Sequence, residues 1–310
     1  MTKSNLSKVI KEKAIALGFD SCGIARANRI KNHDEYLKRW LQKRLHAEMH
    51  YMENHFEKRI DPSVLVPGAR SVIVVLLNYY PEKIQYDAEA PVVAKYAYGR
   101  DYHYVVKDKL KLLFEFIKKQ NGSCNGRYFT DSAPVLERAW AVEAGLGWIG
   151  KNTNLIVPKK GSFFFIGELI VDIELKYDNR INDMCGSCTK CISSCPTNSL
   201  VTPYVLDSNR CISYQTIENK EKIPDKYIGK FKNRVFGCDI CQDVCPWNKF
   251  SEPTKEKAFK PDEKFLKLSS GGWNELNEDK YKEIFGSTAV TRTKYSGMKR
   301  NIEFLKKGGK

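Results

Sequence analysis

The sequence lacks any long hydrophobic run. Its apolar stretches all fall short of the roughly 20 residues that a helix needs to cross a bilayer, and it has no charged-then-apolar secretory start. We therefore predict a soluble, cytoplasmic protein with no membrane partner. Because disulfide-dense frameworks belong mainly to small secreted domains, the 10 cysteines of this chain call for another explanation.

Acidic residues are scarce relative to basic ones. The chain has 37 Asp and Glu against 52 Lys and Arg, which gives a net charge of +15 at pH 7. Such an excess favours polyanionic partners, nucleic acid above all, or an anionic membrane surface, although high charge also serves plain solubility. From Thr291 to Lys310, seven basic residues stand against Glu303 alone and leave +6. This segment is either a disordered, solvated tail or a segment that binds a nucleic-acid backbone.

Two common phosphate-binding motifs are also missing, because no stretch has the spacing of a P-loop or of a dinucleotide fingerprint. The nearest feature is the glycine-rich turn from Gly147 to Thr153, which reads GWIGKNT. Such a turn can bring backbone amides close to an anionic or bulky ligand.

The cysteines are concentrated in two related runs. The first is C-x2-C-x2-C-x3-C-P, formed by Cys185, Cys188, Cys191 and Cys195-Pro196; the second is C-x2-C-x3-C-P, formed by Cys238, Cys241 and Cys245-Pro246, with Cys211 between the two. In the bacterial ferredoxin run, three thiolates hold one four-iron cluster and the fourth reaches a second cluster. The spacing therefore predicts one 4Fe-4S cluster on Cys185, Cys188, Cys191 and Cys245, and another on Cys195, Cys211, Cys238 and Cys241.

Structural zinc is the main alternative, since paired C-x2-C knuckles also bind that metal. Zinc gives no reason, however, for the third cysteine of the first run or for the proline that closes both runs. The two remaining cysteines, Cys22 and Cys124, are interpreted as ordinary thiols.

The rest of the pattern predicts an α+β or α/β N-terminal domain. Periodicity indicates helices over 6–17 and 102–119, a buried central strand over 72–77 and a second long strand over 163–173. A further helix is expected after Asp131 or Ser132 as its N-cap, with Gly145 closing it. We predict an N-terminal domain over 1–176, a ferredoxin-like domain over 177–255 and a basic C-terminal segment over 256–310. An N-terminal domain joined to an electron relay indicates reduction of something held in that domain.

Five segments together resemble the epoxyqueuosine reductase family, over nearly the whole chain. They are DSAPVLERAW from Asp131, GLGWIGKNT from Gly145, the run from Cys185 to Pro196, RCISYQTIE from Arg210 and GCDICQDVCPWN from Gly237. The resemblance implies a cobalamin-dependent iron-sulfur enzyme of queuosine tRNA modification, related in architecture to reductive dehalogenases. The N-terminal domain would then hold cobalamin, although no spacing in this sequence shows that cofactor.

The implied reaction removes the epoxide oxygen from epoxyqueuosine at the tRNA wobble position, with electrons passing from the clusters to cobalt. An external low-potential donor would supply those electrons, and the enzyme would act as a monomer. Asp131 matches the family's proton donor, with a pKa expected to be raised by burial. Matching family segments also place these residues at cobalamin: Asp131, Lys151, Asn152, Thr153, Ser213, Cys238 and Asp239.

The chain departs from the family at Asn54, where an arginine is usual, and at Ala94, where some members have cysteine. Many relatives also carry a helical-repeat tail beyond this chain's last residues, and the basic segment could substitute for it in tRNA binding. Two rival functions remain: a corrinoid reductive dehalogenase acting on a small substrate, and a ferredoxin-type electron carrier.

Overall fold

The computed structural model describes residues 2–309, so Lys310 of the basic segment lies outside the described residues. The helices in chain order are α1 (Lys3–Ala16), α2 (Lys31–Gln42), α3 (Phe56–Ile60), α4 (Pro62–Leu65), α5 (Tyr102–Gln120), α6 (Glu137–Glu143), α7 (Lys190–Ser193), α8 (Ile212–Ile217), α9 (Ile240–Asp243), α10 (Glu263–Leu266), α11 (Ser270–Asn274), α12 (Glu278–Phe285) and α13 (Lys294–Lys306). The strands are β1 (Ser21–Arg26), β2 (Ser71–Asn78), β3 (Val92–Val93), β4 (Gly126–Phe129), β5 (Trp148–Ile149), β6 (Leu155–Ile156), β7 (Phe164–Val171), β8 (Leu200–Thr202), β9 (Val205–Leu206) and β10 (Arg234–Phe236).

The N-terminal half is built on a four-stranded antiparallel sheet with the order β1-β2-β7-β4. Every residue of β2 is buried, which confirms the prediction of a central strand over 72–77. Alternate side chains of a strand face opposite sides of a sheet. Ile73 and Leu169 accordingly pack with α1 and α5 on one face, while Val74 and Ile170 pack with α6 on the other.

The helix predicted over 102–119 is confirmed as α5, whereas the expected cap of the next helix is wrong. Neither Asp131 nor Ser132 caps α6, because that helix begins only at Glu137, with Leu136 at the N-cap position and no side-chain cap. Asp131 instead has a left-handed backbone conformation (φ 55°) in the loop after β4. An aspartate tolerates this conformation better than most residues, and the turn leaves its side chain free for other contacts.

The cysteine runs form a small region of short helices and hairpins. α7 follows Cys185 and Cys188 and contains Cys191, and it lies against α9, which follows Cys238 and contains Cys241. Hydrogen bonds connect this region to the N-terminal half: the Lys95 amide donates to Asp239 over 2.8 Å, and the Asn152 side-chain amide donates to the Cys241 carbonyl over 3.1 Å. The two regions therefore share a continuous interface.

The C-terminal segment is folded. Its buried Trp273, Phe285 and Met298 share one hydrophobic core with Val93 of β3 and Phe236 of β10. Within the described residues this excludes a disordered tail, because α13 buries one side against that core. No helix within 2–309 combines the length and the apolar character that crossing a membrane requires.

Candidate active site

One cavity of about 320 Å³ lies between the main sheet and the cysteine region. This volume lies within the range of pockets that hold drug-sized ligands, and the cavity also opens to solvent. Its walls come from β7, the loop after β4, the start of α6, the glycine-rich turn and both cysteine runs. The cavity is therefore the place where these distant parts of the sequence meet.

Four of the predicted cluster ligands are not among the residues that line the cavity: Cys185, Cys188, Cys191 and Cys245. Burial first, and then the charges of Cys185 and Cys188, raise the pKa of the Cys245 thiol. Cys245 likewise raises the pKa of Cys191, after burial. The last cysteine of the second run thus lies with the first three cysteines of the first run. Trp148 donates its indole N–H to the Cys185 sulfur over 3.5 Å.

The other four cysteines, Cys195, Cys211, Cys238 and Cys241, all line the cavity. Burial raises the pKa of Cys241, and the charges of the other three raise it further. Cys195 differs, because hydrogen bonds from Ser199 and Thr197 outweigh burial and lower its pKa. The backbone N–H of Ser199 donates to the Cys195 sulfur over 3.3 Å.

Eight thiols thus form two sets of four, with no disulfide between them among the described residues. Iron-sulfur clusters take four thiolates each, so the side chains present fit two such groups. The crossed ligand sets stay a prediction of the spacing, and Cys241 is among the thiols beside the cavity. Cys22 and Cys124 lie elsewhere, in the core beneath the sheet.

Across the cavity from these thiols, Asp131 contacts Tyr102 and His103. The Tyr102 hydroxyl donates to the Asp131 carboxylate, and Nε2 of His103 lies 3.3 Å from Oδ2 of Asp131. Burial alone would raise the pKa of Asp131, but the hydrogen bonds from His103 and Tyr102 lower it below the ordinary value. The sequence-based expectation of a raised pKa is therefore wrong for this arrangement, because the two neighbours stabilise the carboxylate.

His103 holds the proton that Asp131 lacks. Its Nδ1 lies 2.7 Å from Oδ1 of Asp101, so the imidazole sits between two carboxylates. Burial alone would lower the pKa of His103, but the hydrogen bonds to Asp101 and Asp131 raise it to about 9. Tyr102 stacks on His103 with ring centroids 4.2 Å apart, which fixes the position of the ring. At neutral pH the pair therefore carries one proton, on the imidazole.

The cobalamin contacts expected from the sequence fall into two groups. Asn152, Thr153, Ser213, Cys238 and Asp239 line the cavity together with Asp131, as does Ala94. Lys151 does not: its ammonium donates to the carbonyls of Gly186 (2.5 Å) and Cys188 (3.0 Å), which steadies the first cysteine loop. Asn54 is absent from the lining as well.

The glycine-rich turn is held against the cavity by close packing. A Cβ on Gly147 would lie 2.3 Å from the Ile156 carbonyl oxygen, so only glycine allows β5 and β6 to approach as they do. Thr153 has a left-handed backbone (φ 65°), and its carbonyl accepts from Arg138 over 3.2 Å. This hydrogen bond ties the turn to the start of α6.

Sequence reasoning missed Tyr102, His103 and Glu137 as site residues. The first two stand at the start of α5, whose pattern indicated only an amphipathic helix, and they reach Asp131 across 28 or 29 positions of sequence. The one available signal was chemical: a histidine two residues after Asp101, which caps that helix.

Comparison with known proteins places the chain in a family. The model described as "Epoxyqueuosine reductase QueG, DUF1730" matches residues 59–132, and that described as "4Fe-4S double cluster binding domain" matches residues 184–248. An epoxyqueuosine reductase with a bound epoxyqueuosine-modified tRNA-Tyr stem loop is 31% identical, with a TM-score of 0.89, over 99% of this chain and 81% of that one.

A reductive dehalogenase structure matches 98% of this chain and 36% of its own, with a TM-score of 0.50 and 15% identity, which shows a shared fold. An epoxyqueuosine reductase from Cellulophaga algicola is 54% identical over 305 residues, which are 98% of this chain and 99% of that protein. More than half of the residues thus agree over almost the full length of both proteins, and the chain belongs to the epoxyqueuosine reductase family.

Proposed function

We propose that this protein reduces epoxyqueuosine to queuosine at the wobble position of tRNA. The reaction removes the epoxide oxygen as water and consumes two electrons and two protons. The observation that carries the proposal is the arrangement of residues around one cavity. A histidine-aspartate pair that holds a proton faces four cysteine thiols suited to an iron-sulfur cluster. Family membership indicates the substrate.

Two 4Fe-4S clusters would be held by the two crossed sets of cysteines, which we retain as proposed. Cobalamin would occupy the cavity between the predicted N-terminal domain (1–176) and ferredoxin-like domain (177–255), and the dehalogenase that shares this fold is B12-dependent. Bound there, it would supply a cobalt centre that delivers electrons to the substrate. Cys241 and its three neighbours lie next to that space, so their cluster would be the nearer electron source.

The chain's own residues fit a bulky cofactor with polar edges. Asn152, Thr153 and Ser213 present amide and hydroxyl groups to the cavity, and Phe164, Phe165 and Ile166 present apolar surface. Asp239 is less available than the sequence suggests, because its Oδ2 already accepts from the Lys95 amide. We therefore assign Asp239 a supporting part at the interface and Lys151 a part in shaping the first cysteine loop.

Asp131 and His103 would deliver the proton to the departing epoxide oxygen. An alkoxide is a poor leaving group in a site that excludes water, so the departing oxygen needs a positioned proton donor. The proton on His103 Nε2 can pass to Oδ2 of Asp131, which lies 3.3 Å away and faces the cavity. Asp131 then protonates the oxygen as its bond to carbon breaks, and Tyr102 keeps the carboxyl group oriented.

A basic patch of Lys220, Arg292, Lys294 and Arg300 suits the tRNA backbone. Burial lowers the pKa of Lys220, and the charges of the other three cations lower it further against the opposing charge of Glu218. The four cations are therefore close together, with Arg292 paired to Glu218 over 3.0 Å. The hydrogen bond to Glu218 is the main cause of the raised pKa of Arg292, and the charge of Asp131 adds to it, which supports a position of the patch near the cavity. Clustered cations neutralise phosphates and release counterions, a gain independent of base sequence.

The direct test is deoxygenation of the modified nucleoside. Protein prepared anaerobically with iron, sulfide and cobalamin, then reduced with a low-potential chemical donor, should convert epoxyqueuosine in tRNA to queuosine, with loss of one oxygen seen by mass spectrometry. Unmodified tRNA serves as the control. Retention of the epoxide by fully loaded, reduced protein would refute the proposal.

A further inference from the structure

Glu168 is a carboxyl group buried in the middle of the main sheet. It lies on β7 with Val74 and Phe129 beside it on the neighbouring strands, and none of its surface is exposed. Neither carboxyl oxygen has a hydrogen-bond partner in good geometry among the residues that the structure describes, although Glu137 lies near enough to share a proton with it. An ionised carboxylate in such surroundings is very costly, so Glu168 is held in its neutral, protonated form.

Glu137 connects this buried group to the cavity. Its side chain lines the cavity wall, and its Oε1 accepts the backbone N–H of Asp131. The titratable groups that act on Glu168 are Glu137 from α6 and Asp131 from the loop after β4; those acting on Glu137 also include Arg138 and His103. Three carboxyl groups therefore lead from the sheet interior to the reaction site.

The pKa values of the two glutamates agree with this geometry. Burial, and then the charge of Asp131, raise the pKa of Glu137 to about 8. Burial, and then the charges of Glu137 and Asp131, raise the pKa of Glu168 well above its ordinary value. Two carboxyl groups so close together cannot both ionise without strong repulsion, so the pair retains a proton at neutral pH.

The reaction needs two protons, whereas the His103 and Asp131 pair carries one. The first proton turns the epoxide oxygen into a hydroxyl group as one C–O bond breaks, and the second turns that hydroxyl into water as the other breaks. The two electrons come from the external donor through the iron-sulfur clusters. With the substrate and the cofactor filling the cavity, the second proton must come from the protein or from residual water.

We propose that Glu168 and Glu137 store the second proton and return it to Asp131 within the same turnover. The proton passes from the Glu168 carboxyl group to Glu137 and then to the Asp131 carboxylate, and the pair is recharged from solvent after the product leaves. This inference rests on the proposed function, because it assigns a source for the second proton of that reaction. Glu168 and Glu137 act through Asp131.

The stored proton can be observed without any turnover. Infrared difference spectra of the loaded protein at pH 7 should contain the carbonyl band of protonated carboxylic acids, and Glu168→Gln should reduce its intensity while the Glu137 contribution remains. The surface variant Glu115→Gln, on α5, should leave the band unchanged. A wild-type protein without this band, or a band of unchanged intensity in Glu168→Gln, would overturn the proton store.

The kinetic test uses the same variants. Glu168→Gln should lower kcat about tenfold at pH 7 and leave KM for the tRNA unchanged. Glu137→Gln should also remove the alkaline decline in kcat that we expect for the wild type near pH 8. Glu168→Asp should recover part of the rate. Should Glu168→Gln fail to fold, Glu137→Gln, which keeps an oxygen for the Asp131 amide, is measured in its place.

If the glutamine variant that is measured had the rate and the pH profile of the wild type, the proton store would be refuted and the proposed function would remain intact. A wild type that carries the infrared band but never deoxygenates the tRNA would refute the proposed function instead.

Discussion

Nε2 of His103 lies 3.3 Å from Oδ2 of Asp131, and Nδ1 of the same ring lies 2.7 Å from Oδ1 of Asp101. The imidazole therefore bridges two carboxylates and has a pKa of about 9. This relationship reassigns the proton at neutral pH from the aspartate to the histidine. Asp131 is the group that faces the cavity, and His103 is the group that supplies it.

Replacing Asp131 with asparagine should abolish most turnover. Asparagine has nearly the same shape but cannot relay a proton, and general acid catalysis typically contributes about 10²- to 10⁴-fold. We expect kcat to fall within that range while iron content and cobalamin binding stay at wild-type levels. The exposed Asp108→Asn on α5 is the matched control. Near-normal turnover by Asp131→Asn would remove Asp131 from the acid role.

The same substitution should change the titration of His103. Without the Asp131 carboxylate, one of the two contacts that raise the pKa of the imidazole is lost, so the pKa should fall from about 9 toward its ordinary value. Nuclear magnetic resonance of the histidine ring protons measures this directly. An unchanged His103 titration in Asp131→Asn would show that the contact does not set its protonation.

Pairs of cysteine substitutions can test the crossed clusters. If Cys245 belongs with Cys188, the Cys188→Ser, Cys245→Ser double variant damages one cluster and should retain about four irons per chain. The Cys241→Ser, Cys245→Ser variant damages both clusters and should retain almost none. An uncrossed arrangement predicts the opposite result for the two pairs. Cys124→Ser, outside both sets, should keep about eight irons.

The basic patch should control the salt dependence of tRNA binding. Lys220→Ala with Lys294→Ala removes two cations, and each lost phosphate contact lowers the slope of log affinity against log salt by about 1. We therefore expect weaker binding and a slope smaller by about 2 for the anticodon stem loop. The control is Lys8→Ala with Lys111→Ala, on α1 and α5 at the opposite face of the sheet. If the slope of log affinity against log salt were the same in both double variants, the tRNA would bind outside this patch.

The buried glutamates should make stability depend on pH. Between the ordinary glutamate pKa of 4.5 and about 8, the folded protein holds a proton that the unfolded chain has lost. The free energy of unfolding should therefore fall as pH rises through this window. Glu168→Gln should weaken that decline, and its stability relative to the wild type should increase from pH 5 to pH 8. If urea unfolding gave the same difference in free energy of unfolding between Glu168→Gln and the wild type at pH 5 and at pH 8, the buried pair would be contradicted.

Local sequence patterns predicted the parts of the fold that depend on neighbouring residues. The apolar run of β2 and the amphipathic face of α5 each bury one continuous pattern, so periodicity locates them. The start of α6 was mislocated because Asp131 and Ser132 resemble a helix cap. In the structure Asp131 is committed to Tyr102 and His103.

The sequence predicted only part of the site, because local patterns do not report contacts between residues that are far apart in the chain. Cysteine spacing predicted a crossed grouping because the ligands of a cluster repeat at short intervals. His103 and Glu168 gave no such signal, since their environment comes from strands and helices far apart in sequence. Lys151 is the opposite case, because it lies inside a recognisable motif but is not a cavity residue. Its side chain donates to the carbonyls of Gly186 and Cys188 instead.

The most direct measurement is a single-turnover experiment on epoxyqueuosine-containing tRNA with anaerobically reconstituted, pre-reduced protein, read by mass spectrometry of the nucleosides. We predict loss of one oxygen from the modified nucleoside with the wild type and with Asp108→Asn, and no loss with Asp131→Asn. An intact epoxide in the wild-type reaction, with both clusters and cobalamin shown to be present and reduced, would contradict it.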